Sequence, residues 1–280
     1  NAKSLAQIAA VLGRQFDHDA LVAVSQQPAE EVDQALNALK KAGIVASMPD
    51  GGIGFRHALF QNAAYESLLR PARRTWHRRY LDWLKSSPAH MAAIRPETIA
   101  FHLEACDEHR NAAERYVEAG LAANRASASR EAAVHFGHAR DLLAIAPPPA
   151  ASGSLEAHDD LATARLKAQV LLAGALLSSS GPGAAETRAA YDEALRLAEA
   201  VPESDWHLAA YWGWWRVSDN FAAMAVRARR LLEVSKRMHG AEFKLQAMHC
   251  AWANTFLMGE LDASVATARD GLELYEEAGF

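Results

Sequence analysis

The hydrophobic positions in the opening stretch of the chain fall at helical spacing in three short runs. Leu5, Ile8, Ala9 and Leu12 form the first, and Gly13 stops it. Ala20, Leu21 and Val24 form the second, behind Asp17 as its cap, and Ser25-Gln26-Gln27-Pro28 turns the chain. The third starts at Pro28 with Glu30-Glu31 in its first turn, buries Val32, Ala35, Leu36 and Leu39, and ends at Lys40-Lys41 before Gly43. The period then changes. Ile44-Val45-Ala46-Ser47-Met48 and Ile53-Gly54-Phe55 read as strands around Pro49-Asp50-Gly51-Gly52, a hairpin turn by composition. Phe55 to Leu69 reads as one helix. Pro71 opens another, with Trp76, Tyr80 and Trp83 on one face and Arg74 and Arg78 opposite.

Three short helices followed by a two-stranded wing predict a winged helix over residues 1–86. From Pro96 onward only helical patterns occur, and they come in pairs. A linking helix around Pro96–Ala105 and a first hairpin fill residues 87–146. In that hairpin Tyr116, Ala119 and Gly120 precede Ala132, Phe136 and Ala139, with Pro147 just beyond. These are the large and small placements of a tetratricopeptide repeat, in which the small residues let two helices approach closely. Pro147 to Ser154 reads as a linker. Residues 155–280 then carry helices over 161–177, 184–200, 206–217, 221–238, 242–258 and 261–278, as degenerate hairpins of an array truncated at its end. Ser264 and Ala268 depart from the repeat's pattern. The fold class expected is mainly α: a winged helix with one small β-hairpin, then an α-solenoid.

Composition supports this. There are 61 Ala among 280 residues against 16 Gly and 10 Pro, which favours helix and disfavours a sheet-dominated fold. Half the chain is apolar and 22% charged, enough for a packed core. Net charge is −5 and the pI about 6.2, so nucleic acid is not an expected partner. The third helix agrees, because Glu30, Glu31 and Asp33 stand where a recognition helix needs donors. Cys106 and Cys250 form no C-x-x-C pair, no run of 18 apolar residues occurs, and the chain reads as cytoplasmic without a membrane span. Both ends read as those of a piece of a longer protein.

The entry Leu5 to Phe16, the Phe55–Leu69 segment and the Arg74/His77 pair together resemble the winged-helix segment of bacterial STAND-class (AAA-type) signalling ATPases. In that class an ATPase module is joined to helical repeats, often with a class III adenylate/guanylate cyclase domain or a transcriptional regulator's DNA-binding domain. The resemblance implies ATP or ADP as the parent's cofactor and none in this segment. It also implies that His57, after the wing, contacts the β-phosphate of ADP, as does the histidine of the M-H-D motif in plant resistance proteins. Here the stretch is Arg56-His57-Ala58-Leu59, with Ala58 in place of the acid; the alternative is a histidine capping or packing beside the wing.

Arg70, Arg73, Arg74, Arg78 and Arg79 concentrate positive charge on one helix. They read as a solvated face or as one docking onto the upstream ATPase module, with nucleic acid as the third reading. Tyr211, Trp214 and Trp215, in a helix apolar nearly all round, read as array core or as an aromatic groove for a peptide or effector. His135 and His138 have the spacing of a two-ligand metal clip but no third ligand nearby. Asp17-His18-Asp19 and His158-Asp159-Asp160 read as acid-rich helix starts. P-loop, Rossmann glycine, G-x-S-x-G and H-E-x-x-H motifs do not occur. The expected function is therefore non-catalytic: a winged helix that couples nucleotide state to an array that binds a protein or peptide. The rival reading is a DNA-binding regulator with the array as its sensor.

Overall fold

The computed structural model describes residues 2–49, 51–147, 155–238 and 240–279, and of 155–159 the backbone alone. Asp50 of the expected hairpin turn, Pro148 to Ser154 of the expected linker, and the side chains of His158 and Asp159 lie outside the described residues. The fold is mainly α, with fifteen helices and one three-stranded antiparallel sheet among the described residues. It divides into two compact units, Asn1–Arg115 and Tyr116–Phe280.

The first unit runs α1 (Ala2–Leu12), β1 (Gln15–Phe16), α2 (His18–Ser25), α3 (Ala29–Lys41), β2 (Val45–Ser47) and β3 (Ile53–Phe55). It continues with α4 (Ala58–Glu66), α5 (Arg70–Ser86), α6 (Pro88–Ala93) and α7 (Pro96–Glu104), and α8 (His109–Arg125) crosses into the second unit. The apolar stripes read from the sequence are the core: Leu5, Ile8, Val32, Leu36 and Leu39 are buried in one cluster with Val45, Phe55 and Leu84. The hairpin gains a third strand. Gln15 pairs with Gly54 and Phe16 with Ile53, placing the sheet in the order β1-β3-β2. Two residues are too short a run to show alternation. What fixes them is the ring of Phe16, set edge-on to Phe55 with centroids 5.9 Å apart.

Two expectations need correction. Phe55 does not begin a helix: its N–H donates to the Arg14 carbonyl at 2.9 Å, and that of Arg56 donates to the Ile44 carbonyl at 3.0 Å. Sheet bonding thus keeps the chain extended through His57, and α4 starts at Ala58. On α5 the buried stripe is His77, Tyr80, Leu81 and Leu84, with Trp76 and Trp83 only half-buried beside it. Asp17 does stand at the start of α2, but its side chain makes no capping hydrogen bond.

The second unit continues with α9 (Ser129–Ile145), α10 (Leu155–Ser180), α11 (Ala185–Ala198), α12 (Asp205–Arg216), α13 (Phe221–Ser235), α14 (Ala241–Leu257) and α15 (Leu261–Glu277). From α9 on, each helix packs against the next, and α12 also packs against α10 and α14. This is the connectivity of stacked helical hairpins, in which each pair meets only its neighbours. α10 runs longer than the sequence pattern marks out, so Asp160 lies inside the helix rather than at its start. Its segment Asp160–Ser180 is long and apolar enough to cross a membrane by length and composition. Here it buries Leu166, Val170 and Ala173 among neighbouring helices and carries Arg165 and Lys167. The departure at Ser264 has a reason: its hydroxyl is buried and donates to the Trp252 carbonyl at 2.9 Å, tying α15 to α14.

Two glycines set how closely these helices approach. The ring of Phe136 lies on Gly120, and the ring of Tyr191 lies on Gly213, each where a Cβ would stand. Gly213→Ala would drive Tyr191 out of its site, and overpacking of this kind costs about 1–3 kcal/mol. Gly137, on α9, has open space around its missing Cβ. Gly137→Ala is expected to stabilise the chain by up to about 1 kcal/mol through helix propensity. Urea melts of the two variants should shift in opposite directions; a Gly213→Ala midpoint at or above the wild type would refute the packing account.

Candidate functional site

His57 occupies the N-cap of α4 in extended geometry (φ −132°, ψ 140°), and its side chain makes no capping bond. It is exposed, tilted against the Phe60 ring at 5.7 Å. α4 itself has no fully buried residue. Leu59 is 78% exposed, Phe60 41% and Leu69, just before α5, 79%. An apolar face thus stands open beside an imidazole and the first turn of the arginine-bearing helix.

The arginines of α5 divide by what they touch. Arg73 is a structural clamp. Its Nε donates to the Leu68 carbonyl at 2.9 Å and a terminal nitrogen to that of Glu66 at 3.0 Å, closing the C-terminal end of α4. Its guanidinium also lies 4.6 Å over the Tyr65 ring. Arg74 pairs with Asp107 at 2.7 Å, and Arg78 with Glu108. Burial alone would raise the Glu108 carboxyl, but hydrogen bonds from Asn111 and Arg78 outweigh it and hold its pKa below the ordinary value. Arg70 has no ion-pair partner among the described residues, and with Arg74, Tyr65 and His109 it lines a cleft of about 580 Å³. Among the described residues the acids on the α7–α8 connection neutralise Arg74 and Arg78, Arg79 lies 4.6 Å over the Trp76 ring without an ion pair, and Arg70 faces the cleft.

Beneath this face lies a feature that the sequence reading did not single out as a site. His77 and His102 are both fully buried, with their Nδ1 atoms 2.8 Å apart. His77 Nε2 is 3.0 Å from the Tyr65 hydroxyl, so the chain of contacts runs from α4 through α5 to α7. The Tyr80 ring sits 4.5 Å from His102 and the Phe101 ring 5.3 Å from His77. Burial above all, with the Arg73 guanidinium adding to it, pushes His77 down to about 4. Burial, then the neighbouring His77, holds His102 well below the ordinary imidazole value. The pair is therefore neutral at pH 7 and shares one proton between its Nδ1 atoms, one ring donating and the other accepting. Burial raises the Tyr65 hydroxyl, against an opposing pull from Arg73, so it stays protonated as a hydrogen-bonding group. The signal in the sequence was His77 standing in register with Tyr80, Leu81 and Leu84, on the stripe that the core requires.

Two of the three aromatic residues of α12 named as core or groove are buried. Tyr211 and Trp215 are 4% and 7% exposed within a core cluster shared with Leu231, Phe243 and Ala247. Trp214 is half-buried and held on three sides: its indole N–H donates to Asp192 at 3.1 Å, Arg227 lies 4.5 Å over its ring, and the same arginine bonds its carbonyl. The helix is apolar all round because neighbours cover it on both sides. His135 and His138 lie 6.1 and 5.1 Å from the ring of Tyr116, and no group of three metal-ligating side chains forms among the described residues. Burial pushes the Cys250 thiol up to about 12, leaving an inert core residue.

No family model matches the chain. "Uncharacterized protein R02095" of Rhizobium meliloti (strain 1021) is 28% identical over 283 residues, covering 99% of this chain and 26% of that protein. The chain thus spans about a quarter of the length of the curated relative it matches. Among solved structures, similarity is found to the Signal Transduction ATPase with Numerous Domains (STAND) protein with a tetratricopeptide repeat sensor, PH0952, from Pyrococcus horikoshii. That match covers 100% of this chain and 45% of the other, at 12% identity and a TM-score of 0.36.

Proposed function

We propose that this chain is a non-catalytic regulatory segment of a STAND-type signalling ATPase, in which residues 1–86 form a winged helix and the helical array binds a protein partner. The observation that carries the reading is α4. It is the helix where Leu59, Phe60, His57 and the neighbouring Leu69 and Arg70 are left uncovered, while α1, α2 and α3 around it are packed. Exposed apolar residues of this size mark an interaction surface. The occupant is the upstream ATPase module, whose bound ADP His57 would meet from outside. A partner on the array then biases the nucleotide state through α4, α5 and α7, which the Tyr65–His77–His102 contacts tie together.

The DNA-binding alternative gains nothing from the geometry. Glu30, Glu31 and Asp33 on α3 are exposed, and Asp33 is matched at 2.9 Å by His18 rather than by a free cation. In this reading the compartment is the cytoplasm, where ATP and ADP are available.

The coding sequence preceding Asn1 is expected to contain G-x-x-x-x-G-K-[ST]; a complete upstream reading frame without it would overturn the assignment. In the full-length protein, Leu59→Glu with Phe60→Glu should speed ADP release at least tenfold, read with a fluorescent ADP analogue. His57→Ala should speed it as well. If His57→Ala leaves release unchanged while the α4 double variant does not, the docking stands and the phosphate contact falls.

The histidine pair gives a pH dependence of defined sign. Between pH 6.5 and about 4 the unfolded chain binds protons at His77 that the folded chain does not. Its contribution is therefore intact above pH 6.5 and lost as the pH falls through that window, by about 3 kcal/mol. His102 acts in the same direction. Urea melts at pH 7.5 and 4.5 should show a stability drop that shrinks in His77→Phe/His102→Leu; an equal drop in both proteins would remove the pair as its source.

A further inference from the structure

We propose that the pocket between α12, α13 and the connection from α11 to α12 binds a small aliphatic monocarboxylate, held by the Tyr211 hydroxyl and the Arg237 guanidinium. This ligand is separate from the protein partner argued above, so the two assignments stand or fall independently.

The pocket encloses about 480 Å³, within the range of sites that hold small ligands. Tyr211 lines it, with its ring enclosed in a core cluster of the array and set edge-on to Phe243 at 6.0 Å. The residue is almost wholly buried, yet its hydroxyl makes no hydrogen bond among the described residues and is not sealed from solvent. That hydroxyl stands where the local charges meet, because Glu199, Arg230 and Arg237 all act on it. Burial raises its pKa above the ordinary phenol value and Glu199 adds to this, against the opposing pull of the two arginines, so at pH 7 it is a donor. A buried hydroxyl without a partner is unfavourable, and one that opens into a cavity is available to an acceptor brought from outside.

The remaining polar groups show what that acceptor can be. Arg230 is shared between Glu199 at 3.6 Å and Glu233 at 4.0 Å. Glu203, also in the lining, has an interaction of its own. His207 is occupied by the backbone: its Nε2 donates to the Ala198 carbonyl at 2.8 Å, and its Nδ1 accepts the Ser204 N–H at 3.1 Å. Arg237 lines the pocket without an ion pair among the described residues. One neutral donor and one unmatched guanidinium suit a single negative charge spread over two acceptor oxygens, which is a carboxylate. Glu199 and Glu203 beside them repel a second negative charge, which disfavours a phosphate dianion or a dicarboxylate. Val201, Val234 and Met238 complete the lining with apolar surface, Val234 and Met238 both buried, and they receive a short hydrocarbon chain.

The test uses the whole chain with ¹³C at its methyl groups, titrated at pH 7 with 4-methylpentanoate. Saturable shifts are expected at the methyls of Val201, Val234 and Met238. 4-Methylpentanamide, of the same shape without the charge, should bind at least tenfold more weakly, and inorganic phosphate should not compete. Tyr211→Phe keeps the ring in the core and removes only the hydroxyl, so it should weaken the acid at least fivefold without lowering the melting temperature. Arg237→Gln should weaken the acid at least tenfold and leave the amide unaffected. Equal affinity for acid and amide would overturn the carboxylate, and competition by phosphate would overturn the single charge. Shifts that map elsewhere and ignore both variants would overturn the pocket, as would the absence of any saturable shift. Acetyl-Ala-Ala-Leu, with a free terminal carboxylate, should bind more weakly than the small acid; tighter binding would overturn the small-ligand assignment and give the site to the chain end of a partner protein.

Discussion

The array depends on two aromatic rings seated on bare backbone. Phe136 on Gly120 and Tyr191 on Gly213 bring one helix close to the next, and each contact requires a residue without a Cβ. Dispersion falls steeply with distance, so a slightly wider spacing would forfeit much of the contact around each ring. The buried alanines serve the same end: Ala132, Ala139, Ala194, Ala210 and Ala247 are fully enclosed. An alanine-rich sequence therefore does more than favour helix. It makes thin helices that pack closely, and the large residues become rivets between them.

The first unit works on a different constraint. Its sheet is only two or three residues deep, and its core is closed by side chains from α1, α3 and α5. Into that core the sequence inserts two imidazoles where leucines would pack. They persist because each completes the other's hydrogen bonding, with Tyr65 satisfying the outer nitrogen of His77. Arg73 guards the same place from above, across the Tyr65 ring and onto the last carbonyls of α4. The helix that buries least is thereby fixed by polar contacts at its far end, while its first turn stays bare.

Much of this was legible beforehand because periodicity reports burial. Leu5, Ile8, Val32, Leu36 and Leu39 were placed by spacing alone, and so were the helices from α9 onward, apart from the true length of α10. What escaped were features settled by contacts distant in sequence. Gln15 and Phe16 become a strand only because Gly54 and Ile53 lie alongside. Phe55 shows a helical pattern locally but is claimed by sheet hydrogen bonds. Tyr211 and Trp215 were open to two readings until the neighbours that cover them were known. The arginines of α5 looked alike in sequence, yet Asp107, Glu108 and two carbonyl groups separate Arg70 from Arg73, Arg74 and Arg78. His102 carries no motif at all; it is notable only for what stands within hydrogen-bonding reach.

Nearest-neighbour stacking also bears on how such a protein can change over generations. Since α12 packs against α10, α11, α13 and α14, the hairpins on either side of it and its own partner, duplicating or losing a hairpin would chiefly disturb two junctions. The number of hairpins can then drift, lengthening or shortening the stack one hairpin at a time.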